Sequence, residues 1–190
     1  MVMNRKLVIL DRDGVINVDS DAFIKSPDEW VAIPGSLEAI ARLNQSGYRV
    51  AIASNQSGIG RGLFDMAALN AMHQKMNRAA AAVGGRIDAV FFCPHTAEDQ
   101  CDCRKPRPGM LQQIIDRFEI DPEDTPVVGD SLRDLQAGAA LGFPVHLVLT
   151  GKGERTLKEG QLPEGTVVHK DLRAFALEFL ARHQDRSAGQ

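Results

Sequence analysis

Leu7-Val8-Ile9-Leu10-Asp11-Arg12-Asp13-Gly14-Val15-Ile16-Asn17 is the stretch whose reading decides the fold. Four consecutive apolar residues describe a strand buried on both faces, as at the centre of a parallel sheet. The run stops at two carboxylates separated by one residue. In open α/β sheets ligands collect beyond the carboxyl ends of the strands, so Asp11 and Asp13 stand where a reaction centre is expected. At the two-residue period of extended chain they point the same way. Gly14 then allows a sharp turn and a close backbone approach. An ordinary surface turn uses the same residue types, so the rest of the chain has to arbitrate.

Working outward, the pattern repeats. Ser36 is expected to cap a helix carrying Leu37, Ile40, Ala41 and Leu43, which Gly47 ends. Tyr48 to Ala53 reads as a second strand running into Ser54-Asn55-Gln56-Ser57-Gly58. Asp65 caps a long helix with Met66, Leu69, Met72, Met76 and Val83 at helical spacing, a stripe that suits core packing. Ile87 to Phe92 reads as a third strand ending at Cys93. Pro108 and Gly109 open a helix through Leu111, Ile114, Ile115 and Phe118. Pro126 to Val128 is a short strand before Gly129-Asp130-Ser131, followed by a helix with Leu132, Leu135 and Ala139 inward. Val145 to Leu149 makes a fifth strand, 151–165 reads as loop, and Asp171 to Arg182 as a last helix. Alternating strands and helices imply an α/β, Rossmann-like parallel sheet with helices on both faces.

The chain has 190 residues, 44% hydrophobic and 25% charged, with a formal net charge of -3. That length suits one domain, 1–190, with the tail 184–190 expected to fray. Mild acidity without blocks of like charge disfavours nucleic acid and anionic membrane surfaces as partners. With no signal-like or membrane-length apolar run, a cytoplasmic protein is expected, acting as a monomer on a small molecule. The three cysteines all lie between residues 93 and 103. Clustered so, in a chain without an export signal, they point to a metal rather than to disulfides. Cys93, His95, Cys101 and Cys103 offer three thiolates and an imidazole, a closed tetrahedral set suited to structural Zn²⁺. Gly58, Gly60 and Gly62 lack the spacing of a dinucleotide fingerprint. His73, His146, His169 and His183 are read as isolated packing or surface residues.

Four polar sets therefore follow strands: Asp11 with Asp13, Ser54 with Asn55, Arg104 with Lys105, and Asp130 with Asp134. Three carboxylates can hold a hard cation, and Mg²⁺ usually bridges carboxylates to a phosphate, so phosphoryl transfer is the indicated chemistry. A cation and Lys105 would lessen the repulsion between an attacking Asp11 and an anionic phosphoryl group, while Asp13 exchanges protons.

Asp11-Arg12-Asp13-Gly14, Ser54-Asn55, Lys105-Pro106 and Gly129-Asp130 with Asp134 resemble the four ordered motifs of the haloacid dehalogenase superfamily. The resemblance implies Asp11 as nucleophile, Asp13 as general acid and base, and Ser54 and Lys105 on the phosphoryl group. It implies Mg²⁺ on Asp11, the main-chain carbonyl of Asp13, and Asp130, with Asp134 behind them and no large cap domain. The zinc loop 93–103, with Asn55 to Gly62 and Arg104 to Met110, is similar to the heptose-bisphosphate phosphatases. The histidinol-phosphate phosphatases share the zinc loop and stay as an alternative. The implied substrate is D-glycero-D-manno-heptose 1,7-bisphosphate, cleaved at its 7-phosphate in heptose and lipopolysaccharide-core synthesis. Its implied contacts are Asp19, Asp21, Asn55, Gln56, Ser57, Arg104 and Ser131, with Arg104 on the remote phosphate or sugar. A phospho-receiver domain uses similar residues, but Asp13 two positions from Asp11 favours rapid hydrolysis over a lasting phosphoryl group.

Overall fold

The computed structural model describes residues 6–187, with side chains through residue 183. Six strands form a single all-parallel sheet: β1 (Leu7–Leu10), β2 (Arg49–Asn55), β3 (Ala89–Cys93), β4 (Val127–Gly129), β5 (Val145–Val148) and β6 (Val167–His169). Their order is β3-β2-β1-β4-β5-β6. The chain winds outward in one direction from β1 and in the other from β4, so the crevice between those two strands is the switch point where such sheets bind ligands. Leu10 registers with Ile52 on one side and with Val128 on the other. Asp11 leaves β1 at that crevice, and Asp130 leaves β4 beside it.

Alternation along β1 divides its side chains between two cores. Val8 and Leu10 pack with α1 (Ser36–Gln45), α3 (Met66–Ala82) and α7 (Leu172–Ser187), through Ile40, Leu43, Met72, Met76 and Phe175. Leu7 and Ile9 face α4 (Gly109–Phe118) and α5 (Leu132–Ala140), meeting Leu111, Ile114 and Leu135. All four β1 side chains are fully buried, each contributing about 1.5–3 kcal/mol by removal from water. This makes β1 a rigid platform for the residues that follow it.

Several local expectations are corrected. Ser36 is not the cap of α1: Gly35 takes that position in the left-handed region, and the Ser36 hydroxyl donates to the Val15 carbonyl at 2.8 Å. Asp65 does cap α3, accepting from the Ala68 amide, but Met66 and Val83 are exposed because the buried stripe runs through Leu69, Met72, Met76 and Ala80. In α5 the buried face is Asp134, Leu135, Ala137 and Gly138, whereas Ala139 is exposed. The segment expected as loop contains α6 (Gly153–Glu159), and β6 adds a sixth strand on the β5 edge. The last helix continues to Ser187, so the expected tail is helical over its first residues, and 188–190 lie outside the described residues. No helix among the described residues is long and apolar enough to cross a membrane.

Candidate active site

The site grows from the carboxyl ends of β1, β2 and β4. Asp11 is fixed by its own amide, which donates to the Val128 carbonyl across the switch point. Lys105 reaches it from the loop after β3. Its ammonium lies 3.1 Å from Asp11 Oδ1, 2.6 Å from Asp134 Oδ1 and 2.6 Å from the Ala53 carbonyl, which uses all three of its donors. Asn55 fixes the backbone beneath, donating from Nδ2 to the Lys105 carbonyl and accepting the Lys105 amide on Oδ1.

Charge balance in this buried space is unequal. Burial works against a charged Lys105, but Asp11 and Asp134 outweigh it and raise its pKa. Asp134 also suffers burial, yet Lys105 and the Ser131 donors hold its pKa down. Asp11 is pushed up to about 7 by burial and by Asp134, with Lys105 opposing. Asp130 is raised by burial, then by Asp11 and Asp134. One ammonium is too little for three clustered carboxylates.

That imbalance, with single oxygens of Asp11, Asp130 and Asp134 all within 4.8 Å of one another, fits a hard divalent cation. Both Asp134 oxygens are already engaged, one by Lys105 and the other by the Ser131 amide and hydroxyl. That leaves Asp11 and Asp130 as the carboxylates that could hold such a cation. Gly14 closes on the same place: its φ is +83°, and a Cβ there would collide with Asp130 Oδ2.

Asp13 lines the cavity beside Asp11 and is held from three sides. The fully buried Arg12 grips both of its oxygens, at 2.8 and 3.1 Å from Nη2. Asn17 donates to Oδ1 at 2.8 Å, and Gln56 donates to Oδ2 at 2.9 Å. Gln56 also donates to Ser54 Oγ at 2.8 Å, coupling the ends of β1 and β2.

The cavity has a volume of about 260 Å³. Asp11, Asp13, Asn55, Gln56, Ser57, Lys105, Asp130, Ser131 and Asp134 line it, as do Asp19, Asp21 and Arg104. Ser54 lies below, reached through Gln56. Sequence reasoning gave no site role to Arg12, Phe23, Arg61, Arg133 or Lys152. All but Arg12 line this cavity, and Arg12 acts on it through Asp13. Arg61 stacks its guanidinium 6.0 Å from the Phe23 ring centroid. Arg104 has its pKa lowered by burial, then by nearby Arg133, with Arg61 adding to this, so three guanidinium groups share one rim. Only tertiary folding unites them: they stand after α2 (Ser57–Gly60), in the zinc loop's exit and on α5.

Cys93, at the end of β3, meets Cys101, Cys103 and His95. The sulfur separations are 3.5, 3.2 and 3.6 Å, and His95 Nδ1 lies 3.5 and 3.4 Å from Cys93 and Cys103. Tetrahedral Zn²⁺ with Zn–S near 2.3 Å requires S···S edges of about 3.8 Å, which this cluster nearly provides. Burial and the neighbouring Cys103 push the Cys93 thiol up to about 12, so it would lose its proton only on binding a cation such as Zn²⁺. Arg107 braces the loop by donating to the Gln100 and Cys101 carbonyls at 2.7 and 3.0 Å. Arg104 donates to the His95 carbonyl at 3.3 Å.

The histidines are a correction. His73 Nε2 is 3.3 Å from Arg12 Nη1. His146 Nδ1 is 2.9 Å from His169 Nε2, and His169 Nδ1 is 2.6 Å from Glu178. Sequence separations of 61, 23 and 9 residues hide these contacts from any local pattern.

The sheet order, the paired Asp11 and Asp13 and the Lys105 contact define a hydrolase class. The chain belongs to the haloacid dehalogenase-like hydrolases, whose family model matches residues 4–142. It is 60% identical over 175 residues to the D-glycero-beta-D-manno-heptose-1,7-bisphosphate 7-phosphatase of Bordetella bronchiseptica, covering 92% of this chain and 98% of that one. Its counterpart in Pseudomonas aeruginosa is 53% identical over 178 residues, with 94% and 99% covered. Among solved structures, the B. bronchiseptica D,D-heptose 1,7-bisphosphate phosphatase complexed with magnesium and phosphate superposes with a TM-score of 0.92 at 59% identity, covering 93% and 99% of the chains. The Burkholderia thailandensis phosphatase gives 0.76 at 70% identity, again covering 93% and 99%.

Proposed function

We propose that the protein removes the 7-phosphate from D-glycero-β-D-manno-heptose 1,7-bisphosphate through an aspartyl-phosphate. The observation that carries this reading is the Asp11 carboxylate, set at the β1/β4 crevice with Lys105 3.1 Å away and Asp130 beside it. The names of its relatives supply the sugar.

Asp11 attacks phosphorus with one carboxylate oxygen, and the bond from phosphorus to the sugar oxygen breaks. Asp13 delivers its proton to the departing alkoxide, then accepts one from the water that attacks the phosphorylated Asp11. Inorganic phosphate leaves and Asp11 is restored. Lys105 lies where negative charge builds on the phosphoryl oxygens. Arg12, Asn17 and Gln56 fix the direction in which Asp13 faces, leaving it beside Asp11. Magnesium, when held by Asp11 and Asp130, supplies positive charge that lowers the repulsion between carboxylate and phosphoryl group.

Asp19, Asp21, Ser57, Ser131 and Arg104 line the cavity; in this reading the first four would meet sugar hydroxyls and Arg104 the second phosphate, for which a guanidinium fork is suited. Cys93, His95, Cys101 and Cys103 would hold Zn²⁺, which would order the loop that carries Arg104 and Lys105. The test is phosphate release with Mg²⁺ from the heptose bisphosphate, its 7-monophosphate and histidinol phosphate. Expected is a kcat/KM for the bisphosphate at least about tenfold above the others, as one correctly met phosphate is worth about 1.4 kcal/mol or more. Equal or greater kcat/KM on histidinol phosphate overturns the substrate assignment.

A further inference from the structure

The turn after β5, Thr150-Gly151-Lys152, touches three parts of the site at once. The Lys152 amide donates to Asp130 Oδ2 at 2.9 Å. The Thr150 hydroxyl donates to the Gly14 carbonyl at 2.6 Å. Thr156, one turn into α6, donates from its hydroxyl to the Asp130 carbonyl at 2.8 Å. Gly151 has φ +57° and stands so close to Gly14 and Asp130 that a Cβ would meet both. The Lys152 side chain then leaves in another direction: Nζ lies 3.4 Å from Asp19 Oδ2, with the two side chains 30% and 17% exposed. Asp19 Oδ1 meanwhile accepts the Ser20 amide at 2.8 Å.

We propose that Lys152 is a positioning residue that ties the Asp19–Asp21 segment to the backbone turn holding Asp130, so that Asp19 faces substrate instead of the cation. The physical need is clear from the charges. Asp19 lines the same cavity as Asp11, Asp130 and Asp134, which places a further carboxylate beside the cation site. Lys105 is fully engaged by Asp11, Asp134 and the Ala53 carbonyl, so it has no donor left for Asp19. Lys152 provides the separate ammonium. Its amide is anchored by Asp130 itself, so the position of the ammonium, and through it of Asp19, is referenced to the cation-binding carboxylate. The inference rests on the proposed substrate only for its kinetic consequence; the tie itself does not.

The experiment uses the full chain, with Lys152→Met, Lys152→Arg, Asp19→Asn and the double variant Lys152→Met/Asp19→Asn. Amide hydrogen exchange without substrate reads the tie directly. Exchange at Ser20, Ala22 and Phe23 is expected to quicken about three- to fivefold in Lys152→Met, the effect of one partly screened ion pair, and to return toward wild type in Lys152→Arg. In steady-state kinetics with the heptose bisphosphate, Lys152→Met is expected to raise KM about three- to fivefold with kcat within about twofold. In the Asp19→Asn background the same substitution should add nothing, because Lys152 acts through Asp19. Unchanged exchange in Lys152→Met, or additive KM effects in the double variant, overturns the proposal. If the wild-type protein fails to turn over the bisphosphate, the substrate assignment falls and the exchange measurement alone decides the tie.

Discussion

Lys105 and Asp134 meet at 2.6 Å, ammonium to carboxylate, and each side chain is only 4% exposed. Asp11 shares the same ammonium. A pair removed from water to this extent draws its value from completeness, because a buried charge left alone is far more costly than the pair is favourable.

Lys105→Met should therefore harm folding and catalysis together. With Asp11 and Asp134 left facing each other, the unfolding free energy from urea titration is expected to fall by about 3–5 kcal/mol, and kcat by about 10²–10³-fold. A variant of wild-type stability would show that the ammonium does not balance these carboxylates.

Asp11→Asn keeps the shape of the side chain and removes the nucleophilic oxygen. Phosphate release should drop by at least about 10³-fold, and acid-quenched wild-type protein should carry a phosphoryl group that the variant lacks. Phosphoryl labelling that survives in the variant assigns the attack to another residue.

Removing zinc should act at a distance. A strong chelator, or Cys101→Ala, releases the loop that delivers Lys105, and a displacement of about 1 Å at the reacting centre is enough to cost about 10²-fold in rate. Metal analysis of the purified protein is expected to give about one zinc per chain, consistent with a single closed tetrahedral set. Full activity after complete zinc removal would refute the structural role.

The His146–His169 pair makes a separate prediction about pH. His146 is lowered to about 3 by burial, then by His169, Arg182 and His183; His169 is lowered by burial against the opposing pull of Glu178. A histidine whose folded pKa lies below its ordinary 6.5 stabilises the fold fully above that value and progressively less as pH falls from 6.5 toward 3. Thermal midpoints should decline across that range. His146→Gln, which cannot titrate, should reduce the slope by about half if the two histidines contribute alike. An identical slope in the variant would place the acid sensitivity elsewhere.

What could be read from the chain follows from how far apart the interacting residues lie. Leu7 to Leu10 and the heptad-like stripes of α3 and α4 are local, and each names its own element. The strand-end carboxylates, Lys105 and the Cys/His cluster were legible because their chemistry is unusual wherever it occurs in sequence. Val167 to His169 gave no sign of a strand: three residues are too few for a period, and pairing with β5 supplies what propensity does not. Lys152 looked like one more charged residue in a loop, since nothing nearby in sequence indicates that its amide meets Asp130. Arg12 was hidden in plain view between two aspartates, its side chain turned inward to Asp13 and His73.

The division between sheet and rim also bears on how such a molecule can diverge. Lys105 is buried and Asp11 largely so among the strand ends, whereas Asp21 and Arg61 on connections and Arg133 at the start of α5 are exposed. Replacement of an exposed side chain away from special features generally alters stability by no more than about 0.5 kcal/mol. Descendants of this chain can thus exchange one phosphorylated compound for another by altering the rim, while inheriting the reacting centre intact.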